Sequence, residues 1–128
     1  MIKDLVLWRL EKAEKTYDDG DLLFANDSYS SAVNRFYYAA FHAIRALLAT
    51  KQMDSSKHSG VISLFNREFV KSWQMSKQAS KTIVKVFNMR SDADYEDFVV
   101  LSKQDVLDVK MRVRLLIDEV SVFLKNYS

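Results

Sequence analysis

The 128-residue chain contains no cysteine, no proline and only two glycines, Gly20 and Gly60. Without cysteine there is no disulfide framework, no thiolate metal site and no cysteine nucleophile. The same absence fits a reducing, cytoplasmic setting. Average usage would supply about fifteen prolines and glycines in a chain of this length. Turn-rich β folds depend on both residues, so their scarcity points to long helices joined by few tight turns. No apolar run approaches the roughly 18 residues that a membrane span needs. Met1-Ile2-Lys3-Asp4 has no basic region leading into an apolar stretch, so no signal peptide is expected. The net charge of +2 is too small to argue for nucleic acid by itself.

Helical periodicity, by contrast, is present from end to end. A first helix is expected from Lys3 to Ala25, with Leu10, Ala13, Tyr17 and Phe24 on one face. Asn26-Asp27-Ser28 interrupts it, and Asp27 or Ser28 can cap the next helix. This second helix spans Tyr29 to Thr50 and carries two adjacent stripes. One is Val33, Tyr37, Ala40, Ile44 and Leu47; the other is Phe36, Ala39, Ala43 and Ala46. Two stripes and many alanines predict the most buried helix, packed closely against several neighbours. A polar loop from Lys51 to Lys57 offers Ser55 or Ser56 as a cap. A short helix then runs from His58 to Ser72, with Ile62, Phe65, Phe69 and Trp73 facing inward. A kink or break is expected at Gln74-Met75-Ser76, then a helix from Lys77 to Arg90 with Ile83 and Phe87 on one face. Ser91 to Tyr95 stays helical or turns. Ser102, with Asp105 three residues on, caps the last helix, Lys103 to Asn126. The fold class is all-α: a four-helix up-and-down bundle with one additional short helix, residues 1–128 forming a single domain.

No metal site or cofactor is implied. His42 and His58 lie on different elements, and neither His-x-x-x-His nor Glu-x-x-His occurs. There is no Gly-rich phosphate loop and no nucleophile elbow. Two clusters stand out instead. On the second helix, Asn34, Tyr38 and His42 form a polar stripe, costly on a buried helix unless it lines a groove or interface. Tyr38 and His42, four apart, share a face within hydrogen-bonding reach. The plain alternative is a structural histidine, with Phe36, Tyr37 and Phe41 as aromatic core. The second cluster is Arg90-Ser91-Asp92-Ala93-Asp94-Tyr95. It reads either as a helix end with a solvated acidic turn or as an arginine able to bind phosphate bidentately beside a carboxylate and a phenol.

Together these segments resemble the HEPN family, the higher eukaryotes and prokaryotes nucleotide-binding domain, in its small stand-alone bacterial and archaeal branch. The resemblance runs through Asp21-Leu22-Leu23, Asn34-Arg35, Tyr37-Tyr38-Ala39, Phe41-His42-Ala43, Lys57-His58-Ser59-Gly60 and Arg90 to Tyr95. It implies a homodimer and a toxin-like role in a toxin–antitoxin pair, the antitoxin being a minimal nucleotidyltransferase. It also implies RNA or nucleotide bound in a cleft at the dimer interface. Active members resemble metal-independent ribonucleases, with an arginine on the scissile phosphate and, after four to six intervening residues, a histidine as general acid or base. Arg90 matches the arginine. Tyr95 stands at the first position where the histidine would fall, and Asp97 and Phe98 offer none either. An unperturbed tyrosine, near pKa 10, is a poor base at neutral pH.

The resemblance therefore leaves Arg90, Asp94 and Tyr95 as catalytic candidates, with Asp94 as base and Tyr95 as weak acid, and Asn34, Tyr38 and His42 as binding candidates. Tyr95 could also accept a nucleotidyl group from the partner enzyme. A non-catalytic subunit binding RNA, nucleotide or partner fits the missing histidine. A purely structural helical protein would need no convergence of Tyr38, His42, Arg90 and Tyr95. Basic residues on the last helix (Lys103, Lys110, Arg112 and Arg114) would either help bind RNA or form a solvated face.

Overall fold

The computed structural model describes residues 2–127. The chain is all-α, with no strand among the described residues: α1 (Ile2–Ala25), α2 (Tyr29–Thr50), α3 (His58–Phe65), α4 (Lys77–Tyr95) and α5 (Lys103–Lys125). Helix α3 runs on into a single π-helical turn, Asn66–Val70.

Helix α2 is the hub, packing against α1, α3, α4 and α5. Every residue of its two apolar stripes is fully buried. Alanine makes this possible, because a helix lined with methyl groups lets neighbouring backbones approach. Gly20 of α1 extends the same logic. A Cβ at that position would stand 2.7 Å from Cε1 of Phe36, so the crossing of α1 and α2 leaves no room for a side chain. Tyr37, Phe36, Phe65 and Phe69 lie wholly inside, each contributing about 1.5–3 kcal/mol by burial.

Named contacts fix the directions. Arg9 Nη1 donates to the Arg45 carbonyl at 3.0 Å, the rings of Tyr17 and Phe36 meet at 5.3 Å, and those of Phe24 and Tyr29 at 5.8 Å. Helix α1 is thus antiparallel to α2. Arg114 bonds Glu14 at 2.7 Å and Tyr127 OH donates to the Thr50 carbonyl at 3.2 Å, so α5 runs against α1 and along α2. Helix α4 opposes α5, with Lys85 at 3.2 Å from Asp108 and the Ser76 amide at 2.7 Å from Glu119.

The helix ends depart from expectation in instructive ways. Ser102 and Ser76 cap their helices, each hydroxyl accepting the amide three residues on, at 3.1 and 3.0 Å. Ser28 holds the cap position of α2 without a side-chain cap bond; Asp27, at φ 61°, instead accepts from Tyr29 OH at 3.1 Å. The cap residue of α3 is Lys57, not Ser55 or Ser56. Ser55 Oγ accepts the Lys57 amide at 3.3 Å. A Cβ on Gly60 would lie 2.1 Å from that same Oγ, so Gly60 lets the 51–57 loop fold onto the first turn of α3.

Trp73 is a correction. Its spacing predicts an inward side chain, yet it is 81% exposed, at φ 65°. The helix ends in the π turn, where the Lys71 amide reaches back five residues to the Asn66 carbonyl, and residues 71–75 form a turn, so Trp73 lies beyond the three-four spacing. Met75 takes the buried place instead, 3% exposed. Helix α4 passes Arg90 and ends at Tyr95, which puts Asp94 one turn beyond Arg90 on the same face.

Candidate functional site

The ring of Tyr38 gathers four nitrogen-bearing side chains. Cζ of Arg35 lies 5.2 Å from the ring centre, Cζ of Arg90 5.4 Å, the His58 ring 5.8 Å, edge-on, and the His42 ring 6.2 Å. Three elements supply them. Arg35, Tyr38 and His42 follow one another on α2 at helical spacing, Arg90 comes across from α4, and His58 opens α3. An aromatic face attracts a guanidinium through its quadrupole, which is how two like charges share one phenol.

Arg90 is held on several sides without being saturated. Its guanidinium also lies 5.2 Å from the Tyr37 ring. Nη2 donates to the Tyr38 hydroxyl at a long 3.3 Å. Nε is 3.1 Å from Asp94 Oδ2, close enough for an ion pair, yet off-line for a hydrogen bond, so this buried N–H has no aligned acceptor. A buried donor left unmet is costly. Among the described residues the one hydrogen-bond acceptor of the Arg35 guanidinium is the Asn34 carbonyl oxygen, at 3.1 Å from Nε and 2.7 Å from Nη2. Two arginines thus share one phenol with Asp94 as the single carboxylate paired to either among the described residues. Asn34, Arg35 and Asp94 line one open cleft of about 280 Å³ with Leu23, Ser30 and Ser31. The arrangement favours an anion with several oxygens.

Of the residues singled out from the sequence, Arg90, Asp94, Asn34 and Tyr38 therefore come together. His42 touches the group only through its ring contact with Tyr38; the Tyr38 hydroxyl goes to Arg90 rather than to His42. Burial, and then the charges of Lys12, Arg45, Arg35 and Arg9, lower its pKa to about 4, so it is neutral at pH 7. Tyr95 stands apart, 78% exposed.

Sequence reasoning passed over the pair beneath Arg90. Tyr37 OH and His58 Nδ1 are 2.8 Å apart. Burial holds the Tyr37 phenol well above its usual range. Burial, then Arg90 and Arg45, lower the His58 pKa. The His58 ring rests on Phe41 at 4.4 Å. The signals in the sequence are that His58 is one of two histidines and stands in Lys57-His58-Ser59-Gly60, one of the segments that carry the family resemblance, but neither says which residue it meets.

The basic residues of α5 are mostly answered internally: Lys110 by Asp21 at 2.5 Å, Arg112 by Asp108 at 2.9 Å, and Arg114 by Glu14 and Asp118 at 2.7 and 2.9 Å. No helix among the described residues is long and apolar enough to cross a membrane.

A family model for the HEPN domain matches residues 6–123. The chain belongs to the HEPN domain family. The resemblance carried by the Tyr37-Tyr38-Ala39 and Arg90–Tyr95 segments is thereby borne out at the level of family. A UPF0332 protein of Thermotoga maritima is 36% identical over 124 residues, 97% of this HEPN chain and 93% of that protein. "Putative toxin MJ0142" of Methanocaldococcus jannaschii is 35% identical over 96 residues, 75% of this chain and 65% of that protein. "Putative toxin MJ0605" of the same organism is 38% identical over 94 residues, 73% of this chain and 70% of that protein.

Proposed function

We propose that this HEPN chain is the toxin-like component of a cytoplasmic toxin–antitoxin pair with a minimal nucleotidyltransferase. In this reading it is a four-helix up-and-down bundle with one additional short helix that dimerises and holds RNA or nucleotide phosphate in a cleft at the dimer interface. The carrying observation is the placement of Arg35 and Arg90 on the single ring of Tyr38, with Asp94, paired to Arg90, as the one carboxylate that answers either among the described residues. Two guanidinium groups answered by one carboxylate leave positive potential and donors that a phosphodiester can take up, and arginine suits phosphate by its planar fork. The names of the two archaeal relatives support the toxin side of this reading.

Strand cleavage needs more than binding. The ribose 2′-hydroxyl must lose a proton as its oxygen attacks phosphorus and the 5′-oxygen leaves. Asp94 is committed to Arg90, and Tyr95 is far out in solvent. The site is therefore better provided for binding than for proton transfer. The test incubates the purified chain and its Arg90→Ala variant with a panel of tRNA and mRNA, without added metal, and measures binding in parallel. Cleavage or binding lost in the variant supports the reading. Equal inertness with no affinity in either protein sinks it.

One observation favours a second role for Tyr95. Its phenol is open to solvent, as an acceptor of nucleotidyl transfer must be. There the phenol oxygen would attack the α-phosphorus of a nucleoside triphosphate, pyrophosphate would leave, and the phenol proton would pass to solvent. Mass spectrometry after incubation with the proposed partner nucleotidyltransferase and a nucleoside triphosphate tests this; an unmodified Tyr95 rejects it.

A further inference from the structure

We infer that His58 is the third donor of the phosphate site, presenting a neutral Nε2–H at the Tyr38 ring that also carries Arg35 and Arg90, because Tyr37 fixes the other ring nitrogen as an acceptor. This rests on the phosphate-binding reading above and says which group completes the site and in which chemical form.

The tautomer is set by hydrogen-bond accounting. Tyr37 is fully buried, so its hydroxyl proton cannot go to water. His58 Nδ1, at 2.8 Å, is the one partner of that hydroxyl among the described residues. A buried hydroxyl that donates to nothing is costly. Tyr37 therefore donates, Nδ1 accepts, and the single proton of the neutral ring sits on Nε2. Charging the ring would place a second proton on Nδ1 and leave the Tyr37 proton without an acceptor. The charged groups around the ring oppose it as well, Arg45 from α2 and Arg90 from α4; Tyr38, from α2, is the other phenol in ring contact with it.

Nε2 is also the free end. It has no hydrogen-bond partner among the described residues, and it is not sealed from solvent as Nε of Arg90 is. The ring stands edge-on to Tyr38, the ring on which Arg35 and Arg90 lie. The loop clasp of Ser55 over Gly60 and the Phe41 stacking hold it there. A nitrogen that already carries its proton cannot accept one from a ribose hydroxyl. His58 thus does not replace the missing motif histidine as a base. It offers a hydrogen bond to a non-bridging phosphate oxygen, whether that phosphate belongs to free nucleotide or to RNA.

The experiment uses the full chain. Nitrogen-detected NMR of the histidine rings at neutral pH should show protonated Nε2 and unprotonated Nδ1 for His58. Binding of a cyclic mononucleotide and of a short single-stranded RNA without terminal phosphate, whose phosphodiesters keep one charge throughout, is then measured by fluorescence anisotropy at about pH 5.5 and about pH 7.5, on either side of the free histidine pKa. Affinity of the unaltered protein for the probe it binds should change less than about twofold across that window. His58→Ala should weaken binding by roughly tenfold. Tyr37→Phe keeps the ring packed but frees Nδ1, so binding should tighten several-fold toward the acid end as the ring charges. An Nδ1–H tautomer, an acid-dependent affinity in the unaltered protein, or His58→Ala binding like the unaltered protein would overturn the inference. If Arg90→Ala loses binding while His58→Ala does not, the phosphate site survives and the role of His58 does not. If the unaltered protein binds neither probe, both fall.

Discussion

Arginine lies on tyrosine at two separated places in this molecule, and they differ in how the charge is met. In the seam between α1 and α5, Arg114 sits 4.7 Å from the Tyr17 ring. There Glu14 takes both of its terminal nitrogens at 2.9 and 2.7 Å, and Asp118 accepts from Nε and Nη2 at 3.1 and 2.9 Å. Hydrogen bonds to these carboxylates hold the guanidinium charged well above even its usual range. In the corner between α2 and α4, Arg90 has a long bond to a phenol and a misaligned carboxylate, and the one acceptor of Arg35 among the described residues is an amide oxygen. The same pairing of residue types is thus a staple in one place and leaves donors to spare in the other. The two are separated by the count of aligned acceptors, not by the arginine.

The sharpest test of that contrast is exchange of roles. Arg90→Ala should cost about ten- to a hundredfold in affinity for a phosphate-bearing ligand, the worth of one or two charge-assisted hydrogen bonds, while the urea midpoint stays near that of the unaltered protein. Arg114→Ala should do the reverse. A loss of about 1–2 kcal/mol in unfolding free energy is expected from urea titration, kept low because the ion pairs are partly exposed to solvent. Its ligand affinity should not move. Were the two variants to behave alike in both assays, the distinction would be broken.

Acid sharpens the contrast further. Both histidines lie on the α2 side of the molecule, and both have pKa values lowered by burial, His42 to about 4. Their unfolded counterparts titrate near 6.5, so below that pH the unfolded chain binds protons that the folded chain refuses. The stability they confer is complete above about pH 6.5 and is lost as pH falls toward about 4. After discounting for solvent screening, a loss of about 1 kcal/mol is expected. Thermal unfolding of the unaltered protein and of His42→Gln at neutral and acid pH checks this, the variant showing the shallower decline. The smallest effect belongs to Tyr38→Phe, which keeps the ring and removes only the 3.3 Å contact. Affinity should fall less than about threefold, whereas loss of the ring in Tyr38→Ala should approach the Arg90 effect.

The legibility of each feature in the sequence depends on the kind of signal it leaves. The two buried stripes of α2 are readable because burial repeats along a helix and marks every third or fourth residue. Ser102 and its partner Asp105 are readable because a cap is local. Arg90, Asp94, Asn34 and Tyr38 are found because resemblance points to them. The hydrogen bond of His58 to Tyr37 is not, since it joins residues 21 apart through a loop whose closure depends on a missing Cβ. Trp73 escapes for a related reason: a single wide turn leaves no mark in composition, yet the helix ends in it before Trp73 is reached.

That wide turn also works as a phase adjuster between two halves of the chain. Removing one residue from Asn66–Val70 would restore ordinary pitch and rotate the downstream chain by about 100° around the helix axis. Trp73 would swing toward the interior and Met75 away from it, and α4 would leave its capping serine rotated with respect to Glu119. The arginine that reaches Tyr38 is carried on α4. A change of register in Asn66–Val70, which lies outside the Tyr38 cluster, would reach Arg90 through the 71–76 turn that joins it to α4.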